Sequence, residues 1–119
     1  MITVDDLRKM ALALTEVTEE PHFEKSSFRI RKKIFCTLDS GKRQAVLKLG
    51  ENDQSVFCAY DPEAVYPVPG AWGKKGWTIF ELAKTHQDLF KDALSTAYCT
   101  VAPKKLAALH HPPEDDLVL

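Results

Sequence analysis

Three short runs constrain this chain more than anything else in it: Ser27 to Arg31, Ile34 to Leu38 and Arg43 to Leu49. Each alternates apolar and polar residues at the two-residue period of a strand. Only Lys32-Lys33 separates the first pair, and Asp39-Ser40-Gly41-Lys42 the second. Parallel neighbours need a crossover of roughly a dozen residues or more, so these runs are expected to form an antiparallel three-stranded meander. With Lys32-Lys33 as a two-residue turn, Arg31 shares a face with Ile34 and Arg29 with Cys36, while Phe28, Ile30 and Phe35 take the other face. A slip of one residue reverses that assignment, so each strand's alternation is firmer than the pairing between strands.

Helical patterns frame the meander. Thr3 is a candidate N-cap with Asp6 as its capping-box partner, Ile2 and Leu7 have staple spacing, and Val4, Leu7, Ala11 and Leu14 form one apolar stripe. Pro21 closes that segment. Residues 51–60, ENDQSVFCAY, are expected to form a short helix that turns Val56, Phe57 and Tyr60 inward. Prolines and glycines then fill positions 61–76, with Ala64 to Val68 a candidate edge strand, and GWTIFELA at 76–83 reads as the last strand. Thr85 is the expected cap of a closing helix with Asp88 three residues on, and its stripe runs Leu89, Phe90, Ala93, Leu94, Ala97, Tyr98, Val101. The expected fold is α+β: a two-layer sandwich in α-β3-α-β2-α order, with an antiparallel sheet of about five strands and helices packed on one face. A chain of 119 residues makes one such domain, placed at 1–109, with 110–119 as a frayed, flexible acidic C-terminal tail.

Composition serves to exclude classes. No apolar run approaches the roughly 18 residues of a membrane helix, and the first ten residues lack the pattern of a secretory signal, so a soluble cytoplasmic protein with no membrane role is expected. Cys36, Cys58 and Cys99 stand more than twenty residues apart without a C-x-x-C pair, which points to reduced thiols rather than disulfides or zinc. His22, Glu24, His86, His110 and His111 show no metal-ligand spacing. Phosphate-binding glycine loops and nucleophile elbows are missing too, so no cofactor and no recognisable enzyme class is expected. His22, Glu24 and Lys25 are the one tight polar cluster an enzyme reading could use.

Charge is what remains to be explained. The net charge is only -1, yet residues 25–48 carry eight bases against the single Asp39. Arg29 and Arg31, two residues apart on one strand, are expected to project from one face about 7 Å apart, a spacing that suits phosphates. Lys32, Lys33, Lys42 and Arg43 extend the charge onto the hairpin tips, and Lys74 and Lys75 precede Trp77, whose indole could stack on a base or a cation. These nine residues are the candidate nucleic-acid site. The competing explanation is that hairpin tips are simply solvated by lysines, with Trp77 in the core.

Four separated motifs occur in order: EEPHFEKSSFRIRKKIFCTL, VLKL, YPVPGAWGKKGW and AYCTVAPKKL. Over nearly its full length the chain resembles the MmcQ/YjbR-like family. The family pattern falls on Pro21, Phe23, Lys25, Ser27, Phe28, Lys33, Ile34 and Phe35, and then on Pro67, Pro69, Gly70, Lys74, Gly76 and Trp77. This resemblance implies a two-layer, secretion-chaperone-like fold, described as a double wing, and a DNA-binding role. No helix rich in Arg, Asn or Gln stands ready to read bases, so the expected mode is backbone contact with DNA. The alternative is a protein-interaction or chaperone-like module using a sheet face with Ile34, Cys36 and Leu38.

Overall fold

The computed structural model describes residues 2–110. Helix α1 (Val4–Leu12) precedes four strands, β1 (Val17–His22), β2 (Lys25–Ile30), β3 (Lys33–Asp39) and β4 (Gln44–Lys48). Next come α2 (Glu51–Tyr60), β5 (Val65–Pro67), a single turn α3 (Ala71–Lys74), β6 (Trp77–Glu81), α4 (Gln87–Val101) and α5 (Lys104–Ala107). The six strands form one sheet in the order β1-β2-β3-β4-β6-β5, every pair antiparallel. The α+β class holds, with β1 added to the expected strands. Its sequence VTEEPH hides it, because two adjacent acids and a proline suit only an edge strand, which is where β1 lies.

The ends of α1 follow local chemistry. Thr3 and Asp6 close a reciprocal capping box at 3.0 Å in both directions, and Ile2 and Leu7 are fully buried beside it. At α4 the cap differs from the expected one. His86 is the N-cap, its Nδ1 accepting from the Asp88 N–H, while the Thr85 hydroxyl turns back to donate to the Glu81 carbonyl and is buried. The buried stripe Phe90, Ala93, Leu94, Ala97 and Tyr98 packs α4 over β3 and β4. Phe80 links Phe57 of α2 to Phe90 of α4 in edge-to-face contacts, so both helices cover the same side of the sheet.

In α2 the inward face is Gln54, Phe57 and Cys58, while Val56 and Tyr60 are exposed, contrary to the apolar pattern. The reason is polar: the Gln54 amide donates to the Gly73 and Trp77 carbonyls and lies 3.0 Å from Thr78 Oγ1. That anchor fixes the rotation of the helix, and residues one turn from it follow. Gly73 and Gly76 are required where they stand, since an added Cβ would come within 1.9 Å of the Val68 and Leu49 carbonyl oxygens respectively; Gly76 also has φ +104°.

The first hairpin corrects the expected register. The turn is Arg31-Lys32, both residues left-handed at φ +48° and +72°, as a two-residue hairpin turn demands. Arg29 therefore pairs with Ile34, and Phe28 with Cys36. A bulge at Phe28/Arg29 sets Phe35 and Cys36 together opposite Phe28, and all three are fully buried. Cys36 and Leu38 thus belong to the helix-covered core, and Ile34 stays on the other face.

At the C-terminal end, His110 packs on the domain instead of starting a tail. The Thr15 N–H donates to its Nε2, and its ring meets Tyr98 edge-on at 5.0 Å. The rest of the expected tail, residues 111–119 with His111, lies outside the described residues.

Candidate functional site

Among the described residues no helix covers the second face of the sheet over its centre. By strand alternation and register this face carries Thr18 and Glu20 of β1, Ser27 and Arg29 of β2, Ile34 and Thr37 of β3, Val46 and Lys48 of β4, Trp77 and Ile79 of β6, and Tyr66 of β5. A trough of about 400 Å³ lies on it. Ile34, Thr37 and Val46 form its floor, Val68, Trp72 and Trp77 one wall, and His22 with Lys25 the opposite rim. Trp72 projects from α3 and is 61% exposed, a large apolar surface to leave in water.

Each indole carries a cation. The Lys75 ammonium lies 5.2 Å from the Trp72 ring centre and that of Lys48 5.6 Å from Trp77, and Lys48 Nζ also donates to the Lys75 carbonyl. Arg29 lies along the strand with its Nε donating to Ser27 Oγ at 2.9 Å, and that hydroxyl in turn donates to the Glu20 carbonyl. Ser27 is fully buried although it faces the open side, because the Arg29 side chain reaches back over it. At the far end of the face Glu81 accepts from Gln44 and from the Tyr66 hydroxyl. That hydrogen bond, more than burial, raises the Tyr66 pKa above the ordinary tyrosine value.

The nine residues singled out from the sequence fall into two groups. Because β4 runs back along β3 and β6 runs back along β4, Lys74, Lys75 and Trp77 come to the same end of the sheet as the Arg31-Lys32 turn. Across the sheet, two strand spacings, about 10 Å, separate β3 from β6. Lys42 and Arg43 occupy the opposite end, six residues along β3 or about 20 Å away. Arg29 faces the open side near the first group. Arg31 does not share its face: it lies in the turn, ion-paired to Glu16 at 3.3 Å, and with Lys33 it lines a hollow against the C-terminus of α4. The other ion pair among the described residues is Arg8–Glu19, so Arg29, Lys32, Lys33, Lys74 and Lys75 have no carboxylate partner there. Glu51 and Asp53, in the first turn of α2, belong to the helix side.

Sequence reasoning missed Trp72 and Lys48. The PGAWGKK run reads as a plain turn, and only the one-turn helix α3 tips Trp72 over the sheet. Lys48 reads as an ordinary polar position of a strand until its register with Trp77 is known. His22 and Lys25 meet at the trough rim, whereas Glu24 is an exposed turn residue; among the described residues no cluster of three or more His, Cys, Asp or Glu is arranged to hold a metal. Burial raises the Cys36 and Cys58 thiols above the usual range, away from nucleophilic use.

The sequence model of the YjbR family matches residues 12–100. The chain belongs to the YjbR family. Among curated proteins none matches it. A solved structure similar to this YjbR-family chain is the crystal structure of the Deinococcus radiodurans protein DR2400, a DUF419-domain protein. The two share 20% identity with a TM-score of 0.77, over all of this chain and 90% of that one. At that identity the likeness speaks for the fold. The matched region contains the whole sheet and most of α4, and hence both ends of the open face. No helix among the described residues is long and apolar enough to cross a membrane.

Proposed function

We propose that this YjbR-family protein binds nucleic acid in the cytoplasm through the end of the sheet that carries Lys32, Lys74 and Lys75. This is the DNA-binding role of the double-wing kind that its sequence resemblance implies. The observation that carries the reading is the placement of bases from two distant segments, 29–33 and 74–75, at one end of the sheet, where of these bases only Arg31 is ion-paired among the described residues. Contacts of this kind neutralise phosphates and release counterions, so they confer affinity without reading sequence.

The test is a titration of labelled duplex and single-stranded DNA at low and near-physiological salt. Replacing Lys32 and Lys74 together by Gln should weaken binding and flatten the dependence of log K on log salt by roughly one unit per lost contact. The pair Lys42→Gln and Arg43→Gln, at the other end, should leave the slope unchanged. Absence of binding at low salt, or equal effects of the two pairs, sinks the reading. A second reading, a protein-interaction module, rests on the apolar trough of Ile34, Val46, Val68 and Trp72. It requires salt-tolerant capture of a protein partner on that face.

A further inference from the structure

We infer that the trough on the open face is a base-stacking subsite for an unpaired nucleic-acid strand, with Trp72 and Trp77 taking the faces of bases and Lys48 and Lys75 their phosphates. The inference rests on the nucleic-acid reading above and narrows it from any polyanion to single strands. Bases in a duplex cover one another's faces and leave phosphates and groove edges outside, so an indole as exposed as that of Trp72 meets more ring surface in an unpaired strand than in a duplex. Unpaired bases offer both ring faces, and stacking them on aromatic side chains beside a basic track is how sequence-tolerant single-strand binding is built.

Size, chemistry and charge agree. At about 400 Å³ the trough falls within the roughly 300–1,000 Å³ of clefts that hold small ligands. Its floor of Ile34, Thr37 and Val46 is largely apolar sheet surface, against which a ring can pack. Among the described residues lining it there is no carboxylate, and lysines stand on both sides, Lys25 on one rim and Lys48 and Lys75 against the two indoles. Glu81 and Glu20 share this face: Glu81 is engaged by Gln44 and Tyr66, and Glu20, on the edge strand, accepts from the Thr18 hydroxyl. An apolar peptide could use the floor, but it would leave these three ammonium groups unmatched, whereas a strand matches both parts at once. Lys48 also donates to the Lys75 carbonyl, which places the two cation–indole pairs side by side.

The experiment follows tryptophan fluorescence of the full chain during titration with a short oligo-dT strand and with a duplex of the same length, at low and near-physiological salt. The expected result is quenching by the single strand and tighter binding of it than of duplex. Trp72→Ala, at a solvent-exposed position on a one-turn helix, should cost roughly 5- to 150-fold in single-strand affinity while leaving the salt slope intact, and Trp72→Phe should recover part of it. Circular dichroism of both variants checks the fold. Equal binding of strand and duplex with Trp72→Ala indifferent overturns the stacking inference and leaves the phosphate reading standing. If neither nucleic acid binds at low salt, both fall, and salt-tolerant binding of a peptide in the trough would assign the face to the protein-interaction reading.

Discussion

The two faces of this sheet are made by the same strands and differ in almost everything else. Toward the helices, Phe28, Phe35, Leu38, Leu47 and Phe80 are fully buried; one residue along, Arg29, Ile34, Thr37, Val46 and Ile79 are only half-buried. A strand with a two-residue period can thus hold the domain together with one set of side chains and offer the other set to a ligand. The bulge in β2 and β3 sharpens the division by giving two successive residues, Phe35 and Cys36, to the core. Stability and recognition become separable, which makes adjacent residues the natural pairs to mutate.

The largest contrast is expected between Phe35→Ala and Ile34→Ala. Phe35 meets Tyr98 edge-on at 5.7 Å inside the core, so its removal should cost about 3–5 kcal/mol in urea denaturation. Ile34→Ala, on the open face, should cost about 1 kcal/mol or less, in keeping with partial burial. Equal losses would mean that the open face is covered in solution. Next in size is Gly76→Ala. Both its positive φ and the approach of the Leu49 carbonyl oppose a side chain, and a loss of roughly 2–4 kcal/mol is expected at the point where β6 begins. An unchanged melting temperature would refute the tight packing of that turn.

Gln54→Ala should cost about 1–3 kcal/mol, because it strips a donor from carbonyls on the helix side. Amide exchange should accelerate in α2 and at the start of β6 before it does in β2 and β3. The smallest effect belongs to Tyr66 on the open face. Its pKa is raised by the bond to Glu81, so the contribution of that bond is fully present below the unfolded tyrosine value of about 10 and lost as pH rises through the folded value. Melting temperature measured across that alkaline range should fall more in the native chain than in Tyr66→Phe. Parallel curves would show that the Tyr66–Glu81 bond adds nothing in water.

Much of the fold was legible because it is written in local patterns. The capping box at Thr3, the stripe of α4 and the alternation of β4 each express a preference of a few consecutive residues, and tertiary packing agreed with them, whereas the bulge at Phe35 and Cys36 broke the alternation of β3. What local reading misjudged depended on partners far along the chain. Whether Val56 or Gln54 faces inward was decided by the carbonyls of Gly73 and Trp77, and β1 became a strand because β2 offered it an edge. The hairpin turn fell on Arg31-Lys32 although neither residue advertises a left-handed backbone.

The candidate site divides the same way. Sequence alone established a basic block, an aromatic loop near Lys74 and Lys75, and an antiparallel sheet to carry them, since composition and period are properties of the chain itself. Only the tertiary structure decided that Lys42 and Arg43 stand apart from the other bases, that Arg31 is matched by Glu16, and that Trp72 leans over an open trough beside Trp77. Strand order and register set those distances, and both are fixed by burying one face of the sheet beneath α1, α2 and α4, a requirement of the whole molecule that no short stretch of residues contains.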